Sequence, residues 1–147
     1  VKSFCREAEK REQERKMKAK FFVAAKAVSM NGTGVGGGRG SYRLGAVLVN
    51  KKNYIISVGN NSYKTHPLLR YRTEWPFLHA EQHAIIKRGL DNCEGLDLYV
   101  VRILKNLSYA ISYPCKVCKV LIKEVGIRNV YYIDVKGDFA KVVGQEL

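Results

Sequence analysis

Cys115 and Cys118 stand three residues apart directly after Pro114, at the head of a stretch, PCKVCKVLIKEVG, that reads as a short helix running to Gly126. Pro114 suits its first turn and Gly126 its C-cap. The i, i+3 spacing puts both sulfurs on one face near the positive end of the helix dipole, which lowers thiol pKa and favours thiolates. Thirty-six residues earlier, FLHAEQHAI places His79 at the start of a second helix, again after a proline, Pro76. A lone Cys-x-x-Cys is equally compatible with redox chemistry, and a third soft ligand shifts the weight towards a metal. A fold that uses all three residues must bring two helix N-termini together from adjacent strand ends. Three protein ligands on tetrahedral zinc leave one position for water, the mark of a catalytic rather than a structural site. Glu81, two residues after His79, can turn towards that position without being a ligand.

Other residues compete for these roles. His83 shares a helical face with His79, as two zinc-binding histidines do in metalloproteases, but that pattern needs a glutamate directly after the first histidine, and Ala80 stands there. His83 is therefore expected to pack under the site, its ring hydrogen-bonded to backbone or to a neighbouring chain. Cys93, beyond the helix C-terminus, reads as a small core residue. Cys5 lies in a charged N-terminal helix and is expected to be exposed.

Periodicity supplies the rest of the framework. Residues 6–29 read as a helix with a stripe of Met17, Phe21, Ala24, Ala25 and Val28; its polar first half, REAEKREQERKMKAK, projects beyond the core or frays, and residues 1–20 form a charged extension. The Gly-rich segment 31–40 follows a helix and precedes a strand, the reverse of a phosphate-cradling loop, so it reads as a linker. YRLGAVLVN and NYIISVG form an antiparallel hairpin, and the proline-containing run NNSYKTHPLLRYRTEWPF a long functional loop. GLDLYVVRIL is a third strand, LSYAISY a short return along it, and RNVYYIDV a fourth strand. DFAKVVGQEL is expected to add a last helical turn or two. This order gives an α/β fold, a three-layer sandwich with a mixed sheet and helices on both faces, in one domain over 1–147.

Composition narrows the setting. Of the net charge of +13, 12 positive charges fall between Arg15 and Thr73, where there is no Asp or Glu. A field of one sign attracts phosphate-bearing ligands, from a nucleotide to a single strand of nucleic acid. Apolar runs are strand-length, short of the roughly 20 residues that cross a bilayer, and the charged N-terminus does not read as a signal peptide. With a Cys-x-x-Cys pair and few cysteines, a cytoplasmic protein with no membrane partner is expected.

His79-Ala80-Glu81 and Pro114-Cys115-Lys116-Val117-Cys118 together resemble the signature of zinc-dependent cytidine and deoxycytidylate deaminases and tRNA adenosine deaminases. The resemblance covers roughly residues 42–135. It implies Zn2+ on His79, Cys115 and Cys118, and hydrolytic attack on C4 of cytosine or C6 of adenine, with Glu81 moving protons to the ring nitrogen and the leaving ammonia. It also implies substrate contacts from the Ala80 backbone and from an Asn after the second strand, for which Asn61 is the better candidate. In GNN, Asn60 occupies a place that is usually aromatic, and about ten residues, RILKNLSYAI, intervene before the cysteine motif, displacing the contacts expected near Ser112 and Tyr113. The loop residues Lys64, His66, Arg70 and Arg72 are candidates for phosphate or base binding. A homo-oligomer is implied by the family. The leading expectation is deamination of a free cytosine nucleotide, most like dCMP. The alternatives are a deaminase of single-stranded RNA, DNA or tRNA, and a deaminase-fold protein that binds without turnover.

Overall fold

The computed structural model of the chain describes residues 2–30, 43–61, 79–104 and 106–147. The expected Gly-rich linker, and Lys64, His66, Arg70 and Arg72 of the long loop, lie outside these residues.

Helix α1 (Lys2–Met30) is followed by strands β1 (Arg43–Val49) and β2 (Ile55–Asn60), α2 (Ala80–Arg88), β3 (Asp97–Ile103), β4 (Tyr109–Ala110), α3 (Lys116–Val125), β5 (Asn129–Ile133) and β6 (Phe139–Val143). The sheet runs β2-β1-β3-β5-β6. All its pairings are antiparallel except β3 with β5, so the sheet is mixed as expected. Strand β4 takes the end of β3, pairing at Arg102 and Ile103, while β5 pairs at Asp97 to Tyr99. The described residues of the intervening stretch return along β3 as β4, and the Leu104 N–H donates to the Ser108 carbonyl at 3.0 Å.

Burial explains the three layers. On one face Phe21, Phe22 and Ala25 of α1 pack on Val47, Val49, Tyr99, Val101 and Tyr131. On the other, Ala84 and Ile85 of α2 and Leu121, Ile122 and Val125 of α3 pack on Ala46, Leu48, Leu98, Val100 and Val130. The two sets alternate along β1 and β3, the period-2 consequence of a strand buried on both sides. Phe22, outside the expected stripe, is 1% exposed, whereas Met17 is 38% exposed. The first half of α1 is helical, and its side chains from Cys5 to Lys18 are exposed.

Each face contains one close helix–strand approach that only glycine permits. A Cβ on Gly45 would meet the Ala25 carbonyl oxygen of α1, and one on Gly59 would lie 2.5 Å from the Ala80 carbonyl and the Ala84 amide of α2.

Two local expectations are corrected. The C-terminal stretch is chiefly a strand: Gly137, at φ 82°, turns the chain back along β5, pairing Ile133 with Phe139 and Tyr131 with Lys141. The helical reading fails because Phe139, Lys141 and Val143 alternate with Ala140 and Val142, and only Gly144–Glu146 makes a short 3-10 turn. Pro114 lies before the N-cap of α3, which is Cys115, so it sets the entry to the helix and not its first turn.

Candidate metal centre and active site

His79 and Cys115 are the N-caps of α2 and α3, both in extended conformation (φ/ψ −79°/155° and −72°/171°). Each side chain therefore projects beyond its helix end, where the two ends meet. His79 is fixed by Gln82, whose Oε1 accepts the His79 backbone N–H at 2.9 Å. Gln82 is 1% exposed. Its role went unread in the sequence, although a side-chain acceptor three residues past an N-cap is the spacing of a capping box.

The segment leading to Cys115 is held by Ser112. Its hydroxyl donates to the Val100 carbonyl at 2.8 Å and accepts the Ile133 N–H at 2.7 Å, tying the approach to both parallel strands. Ser112 is thus a structural tie.

His79 Nδ1 then lies 3.4 Å from Cys115 Sγ and 3.3 Å from Cys118 Sγ, with all three atoms within 4.8 Å of one another. Zinc bonds of about 2.0 Å to nitrogen and about 2.3 Å to sulfur, at a tetrahedral angle, put N and S about 3.5 Å apart. The donor set and its spacing fit zinc. Among the described residues no fourth His, Cys, Asp or Glu joins the group. The Cys93 thiol lies in the core, donating to the Gly89 carbonyl at 3.3 Å.

Charge at the site is tuned by burial. Cys115 is held at about 4, first by the hydrogen bond from Cys118, against the opposing effect of burial, with His79 adding to the lowering. Cys118 is pushed well above its ordinary value by giving that bond and by burial. The sulfur pair thus holds one proton, which a metal ion would displace. Burial pulls the His79 imidazole down, but its bond to Cys115 and the charge of Glu81 outweigh this and leave it raised.

Glu81 is 3% exposed, in the first turn of α2. Burial raises its carboxyl pKa, with the His79 charge in opposition, and one carboxyl interaction is a hydrogen bond with Cys118. Among the described residues its buried Oε1 has no hydrogen-bond partner. A buried carboxyl with an open oxygen, beside three metal-type donors, is placed to exchange protons with a small molecule at that spot.

The remaining candidates separate. Ala80, fully buried, is the first residue of α2, so its N–H has no acceptor within the helix. Asn61 is 4% exposed and tied to β1, its Oδ1 accepting the Leu44 N–H at 3.0 Å. His83 is not part of the metal group; its Nδ1 accepts the Asn60 N–H at 3.2 Å, joining α2 to β2 as expected of a residue packed under the site. Tyr113 is 39% exposed, edge-on to Tyr132 at 5.0 Å and capped by the Lys119 ammonium 4.5 Å from its ring centroid.

The family model of the cytidine and deoxycytidylate deaminase zinc-binding region matches residues 24–134. The chain belongs to this deaminase family. Zinc is the metal of the matched region, and the His79–Cys115–Cys118 group is able to bind it. Among curated relatives, the deoxycytidylate deaminase of Mus musculus is 29% identical over 108 residues, 65% of this chain and 55% of the relative. That of Homo sapiens is 27% identical over 106 residues, 64% of this chain and 54% of the relative. The chain thus spans about half the length of the curated relatives it matches. Of solved structures, the cytidine deaminase of Burkholderia pseudomallei superposes with a TM-score of 0.62 at 18% identity, over 87% of this chain and 93% of that one. The dCMP deaminase of cyanophage S-TIM5 does so with a TM-score of 0.55 at 23% identity, over 78% and 80%. At these identities the likeness is one of fold. Among the described residues no helix is long and apolar enough to cross a membrane.

Proposed function

We propose that this deaminase-family chain catalyses hydrolytic deamination of the cytosine base of a free nucleotide, dCMP- or CMP-like, taking up water and releasing uracil nucleotide and ammonia. The observation that carries the proposal is the buried Glu81 carboxyl, with Oε1 open, beside the His79–Cys115–Cys118 group.

In this reading His79, Cys115 and Cys118 hold zinc, with Gln82 fixing the His79 end. Zinc, when bound, supplies Lewis acidity that brings the pKa of water down to about 7. Glu81 takes a proton from the attacking water, gives it to the ring nitrogen, and carries a second proton to the departing amino group. Its burial favours the protonated form, so it takes up the proton of the attacking water readily. The Ala80 N–H, at the positive end of α2, donates to the base carbonyl. Asn61 faces the sugar, Tyr113 lines the base side, and Lys64, His66, Arg70 and Arg72 hold the phosphate. The chain acts as one cytoplasmic domain over 1–147 with 1–20 as an extension, in a homo-oligomer.

One observation favours a second reading, a deaminase of single-stranded nucleic acid: the 12 cations without an acid between Arg15 and Thr73. A panel of cytosine and adenine nucleosides, mono- and triphosphates and single-stranded oligonucleotides, assayed for ammonia with the zinc-loaded chain, decides between them. Turnover of dCMP or CMP that varies little with salt supports the first. Turnover confined to oligonucleotides and falling steeply with salt replaces it with the second. No ammonia from any substrate leaves a binding protein without turnover.

A further inference from the structure

The sheet face opposite the metal centre has a cavity of about 480 Å³, lined by Arg15, Lys16, Lys18 and Phe22 of α1, and by Tyr131, Phe139 and Lys141 of β5 and β6. Its floor is aromatic and ordered. Phe22 lies edge-on to Tyr131 at 6.5 Å and stacks on Phe139 at 4.0 Å and 4°. Phe139 in turn meets Tyr109 of β4 edge-on at 5.9 Å. Cations stand over both ends of this row: the Lys18 ammonium is 5.7 Å from the Tyr131 centroid and the Lys26 ammonium 5.2 Å from that of Tyr109. The inner rings are buried, but Phe139 is 49% exposed although it is large and apolar.

The register of β6 makes this arrangement. Phe139 and Lys141 point to the α1 face because each is paired with a residue of that face, Ile133 and Tyr131. β6 is also the last strand of the sheet, so the groove is open along its outer side. Four of its lining residues are cationic, against the nearby acids Glu12 and Glu14; the ion pair of Lys16 with Glu12, at 3.6 Å, is solvent-exposed and screened by salt. A groove that exposes the Phe139 ring on a packed aromatic floor, with ammonium or guanidinium groups at its rim, is complementary to a chain of flat bases joined by phosphates. The row continues past the cavity to Tyr109 and Lys26, further than one nucleotide needs, which favours a strand over a mononucleotide.

We propose that the groove between α1 and edge strand β6 binds single-stranded nucleic acid, stacking bases on Phe139 and Tyr109 and holding phosphates with Arg15, Lys16, Lys18 and Lys141. This site is separate from the metal centre, and its assignment does not depend on which substrate is deaminated there.

The test is fluorescence anisotropy of a labelled 20-nucleotide oligo-dT with the full zinc-loaded chain over a salt series, with the matching duplex and dTMP as competitors. The expected result is binding that duplex and dTMP displace poorly, with a log–log salt slope of about −3 for four phosphates on a single strand. Phe139→Ala should weaken binding about 5- to 150-fold, the range for loss of one stacking platform, and Phe139→Tyr should restore it. Lys18→Gln with Lys141→Gln, both exposed, should lower the slope by about 1.4 and leave the thermal melt unchanged. Three results would overturn the proposal: equal affinity of the double lysine variant and the parent, loss of binding only on Arg70→Gln with Arg72→Gln, or a Phe139→Ala chain whose sedimentation shows a changed oligomer and whose affinity does not.

Discussion

The two faces of the sheet are built from the same strands, yet they bury opposite kinds of group. Under α2 and α3 the sheet covers a carboxyl, an imidazole and a thiol, each shifted from its ordinary pKa by burial and by the others. Under α1 it covers aromatic rings, the one buried carboxylate among the described residues there, Asp97, is paired with Arg128 at 2.8 Å, and the lysines and Arg15 stay outside, at the rim. Burial of charge is costly unless partners or a metal compensate it, so the first face concentrates chemistry and the second offers only contact. Substitutions on the two faces should accordingly fail in different ways.

The largest difference is expected from the metal ligands. Cys115→Ala should abolish zinc retention and turnover together, and cost about 4 kcal/mol of apparent stability at zinc a thousandfold above its Kd. Metal analysis by mass spectrometry and a melt with and without zinc check this. Full zinc occupancy in the variant would remove Cys115 from the ligand set.

The paired glycines sharpen the comparison. Gly59→Ala and Gly45→Ala both force a helix off the sheet, each costing about 1–3 kcal/mol. Gly59→Ala displaces Ala80, between His79 and Glu81, so turnover of the folded fraction should drop at least tenfold. Gly45→Ala presses on Ala25 and Ser29 and should leave the turnover of folded molecules within about twofold. Denaturant melts paired with rates per folded molecule separate the two outcomes.

How much of this was readable beforehand follows from where the signals are local. Both helices of the metal centre, the first hairpin and strands β3 and β5 have clear periods or terminators, such as Gly126 at φ 79°. The grouping of His79, Cys115 and Cys118 was legible because the two motifs place His79 and Cys115 at helix ends. Strand β6 was misread because FAKVV is short, and its only firm marker is the Gly137 turn. The holding roles of Gln82 and Ser112 went unread because the first is masked by the metal motif and the second is long-range. Ser112 joins Val100 to Ile133, contacts no local pattern announces.

A smaller effect distinguishes the thiols of the metal-free chain. Cys115 titrates at about 4, so its thiolate is fully present from pH 6 upwards and falls only as the pH approaches 4. Cys118 and Cys93 are both raised and buried, and are thiols at pH 6. Iodoacetamide at pH 6 should therefore label Cys115 well ahead of Cys118 and Cys93, and zinc should suppress that labelling, as peptide mapping would read. The smallest effect belongs to the α1 face: Lys141→Gln should move stability by less than about 0.5 kcal/mol and leave mononucleotide turnover unchanged.

The central claim is that Glu81 is the proton carrier of a site whose metal is held by His79, Cys115 and Cys118. It is tested most directly by measuring zinc per chain and ammonia release from dCMP for the parent and Glu81→Gln side by side. The account predicts one zinc per chain in both, with turnover in the parent and a fall of about 100- to 10,000-fold or more in the variant. A Glu81→Gln chain that keeps its zinc and deaminates dCMP at the parent rate would contradict it.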